Sequence, residues 1–203
     1  MAHVGQTLEN PASGERITFV ATAADTGGEL LAIDLRLPPG RRVPGGLHVH
    51  PRQEERFAVM DGAMRFRLGR DREIAGPGDI VFVPAGVAHD FACEGPVEAL
   101  VRVEIRPALR MELLLETVVE LAKRGRTTPG GLPRPLELAL LVREFNQEVR
   151  APVPGPLVSI ALAPLAAIAV RTRWAELVPY RGRSTYTPAP TAAASASPAQ
   201  AWR

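Results

Sequence analysis

Several common functions leave marks that this chain of 203 residues does not carry. It has one cysteine, Cys93, so no intramolecular disulfide can form, and the chain fits a reducing compartment. Aromatic residues make up 5% of the sequence, and the net charge is only +2 although arginine greatly outnumbers lysine. The arginines are spread out and form no dense basic block. A nucleic-acid surface would need clustered cations and stacking rings, so no nucleic-acid partner is expected. The opening stretch MAHVGQTLENPASGER lacks the apolar core of a secretory signal, which makes a cytoplasmic location the expectation. Histidine is scarce as well: there are four, and three of them fall in two short segments.

What is present is an ordinary globular composition, 46% hydrophobic and 23% charged, with a clear change of texture along the chain. Residues 1–14 read as an N-terminal arm. From residue 15 to 106, short apolar stretches such as RITFVATA, LLAIDLRL, ERFAVM, MRFRLG, DIVFVP and ALVRVEI alternate with Gly, Pro and Asp. Strands at this close spacing, with turn signals between them, predict an antiparallel sandwich or barrel. After Pro107 the period changes. Apolar residues at 111, 114, 115, 118, 121 and 122 form a helical stripe, with Gly125 as a stop. A second helix is expected from Pro135, with its stripe at 138, 141, 142, 145 and 149.

Residues 151–170 carry no charge, but four prolines interrupt them. Burial against the barrel or a second subunit is favoured there over membrane contact. Residues 107–174 therefore read as a helical extension of the barrel. Residues 175–203, rich in Ala, Ser, Pro and Thr, read as a disordered tail.

The stretch GGLHVHPRQEERFAV holds most of the chemistry. In extended chain, residues two apart project from one face, so His48 and His50 present two imidazoles side by side. Pro51, Arg52 and Gln53 look like a turn, which resets the parity. In the next strand Glu55 shares a face with Phe57 and Val59, while Glu54 shares the other with Arg56. A carboxylate on an apolar face is costly unless something cationic pairs with it. Further on, in VFVPAGVAHDFAC, His89 shares a face with Phe91 while Asp90 points away. His3 lies apart, in the N-terminal arm.

These residues resemble the two motifs of the cupins. The first, G-x5-H-x-H-x(3,4)-E-x6-G, is matched by His48, His50, Glu55 and Gly62; its opening glycine is not, since Arg42 stands there. The second, G-x5-P-x-G-x2-H-x3-N, is matched by Gly78, Pro84, Gly86 and His89, with Cys93 in place of the final asparagine. The resemblance implies a mainly β fold, a cupin-type double-stranded β-helix (a jelly-roll barrel), here with a C-terminal α-helical extension. It also implies one divalent metal ion held by His48, His50, Glu55 and His89, with coordination positions left open. Three imidazoles and a carboxylate suit Fe, Mn, Ni, Cu or Zn alike. A thiolate ligand at Cys93 is disfavoured.

Phe57, Val59, Phe66, Phe82 and Phe91 are candidates to shape a substrate pocket, with ordinary core packing as the alternative. Arg102 would hold an acidic substrate if it faced inward; an outward, solvated arginine is the favoured reading. No second acid–base pair stands out beyond the ligands, and Glu104 is the only other carboxylate with barrel parity. The favoured function is a metal-dependent oxidoreductase, dioxygenase-like, acting on a small oxygenated organic molecule. The alternatives are an isomerase or lyase, and a non-catalytic module that binds or senses a small molecule. A homodimer is the expected assembly.

Overall fold

A computed structural model describes residues 2–152 and residue 164. The apolar segment 151–170 and the 175–203 tail, for which the sequence predicts burial and disorder, lie almost wholly outside these residues. Among the described residues nine strands form two antiparallel sheets. They are β1 (Thr7–Glu9), β2 (Arg16–Ala21), β3 (Leu31–Leu37), β4 (Glu54–Asp61), β5 (Ala63–Leu68), β6 (Asp71–Ala75), β7 (Ile80–Val83), β8 (His89–Glu94) and β9 (Ala99–Arg106). The larger sheet runs β1-β2-β3-β9-β4-β7 and the smaller runs β6-β5-β8. The non-sequential neighbours β3-β9-β4 are crossovers of the jelly-roll kind, so the mainly β architecture expected from the sequence is the one found.

Alternation explains why the sheets close on one another. Along β9, Ala99, Val101, Val103 and Ile105 are buried while the residues between them are half-exposed. On β4 the inward set is Glu55, Phe57 and Val59. Phe57 of the larger sheet meets Phe66 and Phe91 of the smaller one, at ring-centroid separations of 5.1 and 5.0 Å. Burying each such ring stabilises the fold by about 1.5–3 kcal/mol. The turn from β4 to β5 depends on Gly62, whose φ is +70°; a Cβ there would lie 2.7 Å from the carbonyl oxygen of Glu98.

Two connections carry the fold toward its site. The segment before β4 runs beside β8, with bridges Arg42↔Ala92 and His48↔His89. This lengthens the smaller sheet by one irregular strand. The chain then leaves β9 for α1 (Met111–Lys123) and α2 (Pro135–Glu144), as the helical stripes predicted. After α2 it returns to the barrel, where Val49 pairs with Arg150. None of the helices among the described residues is long and apolar enough to cross a membrane.

Candidate metal centre

Local structure brings the four ligand candidates to one point. His48 and His50 flank Val49, whose backbone N–H and C=O bond to Arg150; in this extended stretch residues two apart project from one face, which sets the two imidazoles side by side. Pro51 and Arg52 form a bend, and β4 begins at Glu54 with Glu55 facing inward. His89 opens β8 and exchanges two backbone hydrogen bonds with His48. Ahead of it, Gly86 adopts a φ of +83°, and its N–H donates to the carbonyl of His50 at 2.9 Å. The turn that delivers His89 is thus tied to the strand that delivers His50. A donor atom from each of His48, His50, Glu55 and His89 lies within 4.8 Å of the others.

The backbone fixes how the rings present themselves. His48 Nδ1 donates to Gly46 O at 2.7 Å, and His89 Nδ1 donates to Val87 O at 3.0 Å. His50 Nδ1 donates to Glu148 O, which comes from beyond α2. With all three Nδ1 protons committed, each neutral ring turns an Nε2 lone pair to the centre. His48 Nε2 and His50 Nε2 approach to 3.1 Å; His89 Nε2 lies 2.8 Å from Glu55 Oε2, and His50 Nε2 3.5 Å from Glu55 Oε1. Glu55 Oε2 and His89 Nε2 are nevertheless buried without a properly oriented hydrogen bond. Facing lone pairs at these distances repel unless a cation sits among them. A divalent ion meets that need, and the donor set fits one.

The ionisation of the cluster points the same way. Burial, and then the neighbouring His50 and His89, push the His48 pKa down to about 4, so its ring is neutral near pH 7. For Glu55 burial is the largest influence and opposes the charge, but His50, His89 and His48 together outweigh it and hold the carboxyl at about 2. Burial also opposes charge on His89, yet the Glu55 carboxylate close beside it raises its pKa above the usual imidazole value. Without an ion, a proton on His89 supplies the missing positive charge. A metal would replace that proton.

His48, His50 and Glu55 of the cluster line a cavity of about 380 Å³. Its walls come from β2, β3 and β9, from the segment 43–47, and from both helices. The helical extension therefore lines the barrel mouth, and it is anchored around the site. Buried Gln53 donates from Nε2 to the carbonyls of Pro107 and Ala108 at 2.9 and 3.0 Å. Arg110 joins the two ends of the extension. Its Nη1 donates to Glu144 Oε1 at 2.8 Å, its Nε to Glu148 Oε1 at 3.2 Å and its Nη2 to Glu144 O, while its guanidinium lies 5.1 Å from the centre of the Phe145 ring. Glu148 thus reaches Arg110 through its side chain and His50 through its carbonyl.

Residues 34–103 match the family model of the cupin domain. The chain carries a cupin domain. No curated protein matches the sequence. Among solved structures, the cupin region is similar to TT1209 from Thermus thermophilus, at 28% identity over 39% of this chain and 74% of that one, with a TM-score of 0.37. It is similar to a predicted oxalate decarboxylase from Thermotoga maritima, at 19% identity over 51% and 92% of the two chains, with a TM-score of 0.46. It is also similar to a sugar phosphate isomerase from Silicibacter pomeroyi, at 25% identity over 48% and 62%, with a TM-score of 0.42.

The other residues singled out in the sequence fall in different places around the cupin site. Phe91 lines the cavity. Phe57, Val59 and Phe66 are buried in the barrel core and do not line it. Phe82 corrects the expectation: on β7, Val81 and Val83 take the inward positions, leaving Phe82 41% exposed. Arg102 also faces out, where its Nε and Nη2 pair with both oxygens of Asp34 at 2.5 and 3.0 Å. Glu104 shares that outer parity and lies 3.6 Å from Arg56. The Cys93 thiol donates to Val97 O.

Sequence reasoning missed one carboxyl in the cavity, Glu15. It is buried, and its Oε1 accepts a hydrogen bond from Asn10 Nδ2 at 3.0 Å. Burial outweighs its contacts with Asn10 and Ser13 and raises its pKa to about 7. The signal was available: Glu15 shares alternation parity with Ile17 and Phe19, both inward. Gln53, Arg110 and Glu148 were missed as well, because their roles depend on contacts between distant parts of the chain.

Proposed function

We propose that the protein is a metal-dependent cupin enzyme, an oxidoreductase of the dioxygenase kind acting on a small oxygenated organic molecule. The observation that carries this reading is the convergence of three Nε2 atoms and the Glu55 carboxylate beside a cavity large enough for such a molecule. His48, His50, Glu55 and His89 would hold one Fe, Mn, Ni, Cu or Zn ion. Bound there, the ion would polarise a substrate oxygen or activate dioxygen. The chain's own groups do the rest. Backbone carbonyls of Gly46, Val87 and Glu148 fix the tautomer of each imidazole. The apolar walls contributed by α1 and α2 exclude water, which strengthens electrostatic effects at the cluster. Glu15, protonated for much of the time near neutral pH, can donate a proton or a hydrogen bond inside the cavity. In a dioxygenase reaction the substrate itself supplies the electrons, and both oxygen atoms enter the product.

Two measurements test the reading. Metal analysis of the purified protein is expected to find about one divalent ion per chain, lost in His48→Ala while the fold is kept. Oxygen uptake is then screened with enol, keto-acid and phenolic compounds. Protein that carries no ion and cannot be loaded with one ends the proposal. The second reading, a sensing module, draws on the Glu148 carbonyl that ties the extension to His50; tight, metal-dependent binding without turnover would favour it.

A further inference from the structure

The cavity wall has a composition of its own. Twenty-one of its twenty-six residues are aliphatic, Gly, Pro, Met or Phe, and the other five are Glu15, His48, His50, Glu55 and Arg150. Among the described residues, no serine, threonine, asparagine, glutamine, tyrosine or tryptophan lines it. Between the ionisable groups a bound molecule therefore meets no side-chain hydroxyl or amide. A sugar phosphate would leave its hydroxyls unpaired there, at a desolvation cost, and an oxalate dianion would fill little of the space. Among the described residues Phe91 is the one aromatic side chain of the lining other than the histidines, so these walls offer little stacking surface for an aromatic ring.

Strand register gives the cavity its length. Arg16, next to Glu15, pairs with Arg36, and Arg36 pairs with Leu100 of β9; Glu55 pairs with Ile105 of the same strand. Glu15, one position before Arg16, falls level with Leu37 and hence with Ala99, about six residues from the cluster along the strand direction, roughly 20 Å at ~3.3 Å per residue. Ile17, Leu35, Leu114 and Val118 are among the apolar side chains of this space. We propose that the cavity takes an elongated aliphatic molecule carrying an oxygen function at one end, with that oxygen at the His48–His50–Glu55–His89 cluster and the chain along the walls shared by the barrel and the two helices. This assignment builds on the metal reading for the head of the ligand, while the walls act on its chain independently.

The test uses the full chain and two probes that share a metal-binding head, acetohydroxamate and octanohydroxamate. Calorimetric titration of nickel-loaded protein is expected to give octanohydroxamate at least a hundredfold higher affinity, through its six additional methylenes. In metal-free protein octanoate should likewise bind at least tenfold more tightly than acetate. A gain below threefold in both pairs overturns the proposal, as does displacement of octanohydroxamate by equimolar oxalate or glucose 6-phosphate. If no probe of any length binds to metal-loaded protein, the proposal is overturned too, and the space belongs to another occupant such as the charge-free residues 153–170 of the chain itself. If nickel does not load but the octanoate preference holds, the metal reading fails and the assignment of the walls survives. Val118→Gln should reduce the octanohydroxamate affinity at least tenfold and leave acetohydroxamate unchanged. Should that variant misfold, the chain-length comparison in the unaltered protein still decides.

Discussion

Glu55 and Glu15 are the same functional group, both buried and both lining one cavity, yet their surroundings drive them in opposite directions. Three imidazoles around Glu55 overcome burial and keep it ionised down to about pH 2. Asn10 and Ser13 give Glu15 only neutral partners, so burial prevails and its pKa rises to about 7. Burial alone therefore says little about what a carboxyl is for; the charge of its neighbours decides. The donors around Glu55 could hold a cation, whereas the surroundings of Glu15 favour a proton.

The largest expected effect breaks the comparison at the cation end. Glu55→Ala should weaken divalent-metal binding by more than about a hundredfold, beyond the 10–100-fold typical of losing an outer partner. Glu15→Gln should leave that affinity unchanged; calorimetric metal titration of the two variants checks both. An equal loss in each would erase the distinction between the two ends.

The next effect lies in stability against pH. Glu15 has a folded pKa raised above its ordinary 4.5, so its contribution is fully present below about pH 4.5 and is lost as the pH rises through about 7. Urea denaturation of metal-free protein at pH 5 and pH 8 should show Glu15→Gln escaping about 2 kcal/mol of the decline seen in the unaltered chain. Glu55 acts with the opposite sign: its contribution is present above pH 4.5 and is lost as the pH falls toward 2. A Glu15→Gln profile parallel to that of the unaltered protein would show that the far end does not hold its proton.

The smallest effect sharpens how the metal end is braced. Arg110→Met removes the guanidinium that grips Glu144 and Glu148, and so loosens the carbonyl that orients His50. Metal affinity should fall about tenfold with the circular dichroism spectrum kept. Arg110→Lys should restore only part of it, because an ammonium cannot match the fork of contacts. Unchanged affinity in Arg110→Met would separate the extension from the metal centre.

Much of this site could be read in the sequence because its rules are local. Alternation through the Pro51 bend put Glu55, and not Glu54, beside the histidines, and the two helical stripes marked α1 and α2. Where the reading failed, local parity had been set aside or did not apply. Phe82 was chosen for its ring, although alternation with Val81 and Val83 sends it outward. Glu15 kept inward parity but lay at the assumed edge of an N-terminal arm, the same stretch in which β1 pairs with β2. The bond from Glu148 to His50 joins residues 98 positions apart, and no periodic pattern encodes such a contact.

That last bond also sets an order of events during synthesis. All four metal-ligand candidates have been made by residue 89, whereas the carbonyl that fixes the His50 ring belongs to residue 148. For the time it takes to translate about sixty residues, several seconds at roughly 5–20 residues per second, these four side chains can meet only without that final brace. An ion captured in that interval meets a looser set of donors than the finished protein offers. If the cluster holds a metal, the identity of that metal would then depend on when the nascent chain acquires it as well as on the affinity of the completed site.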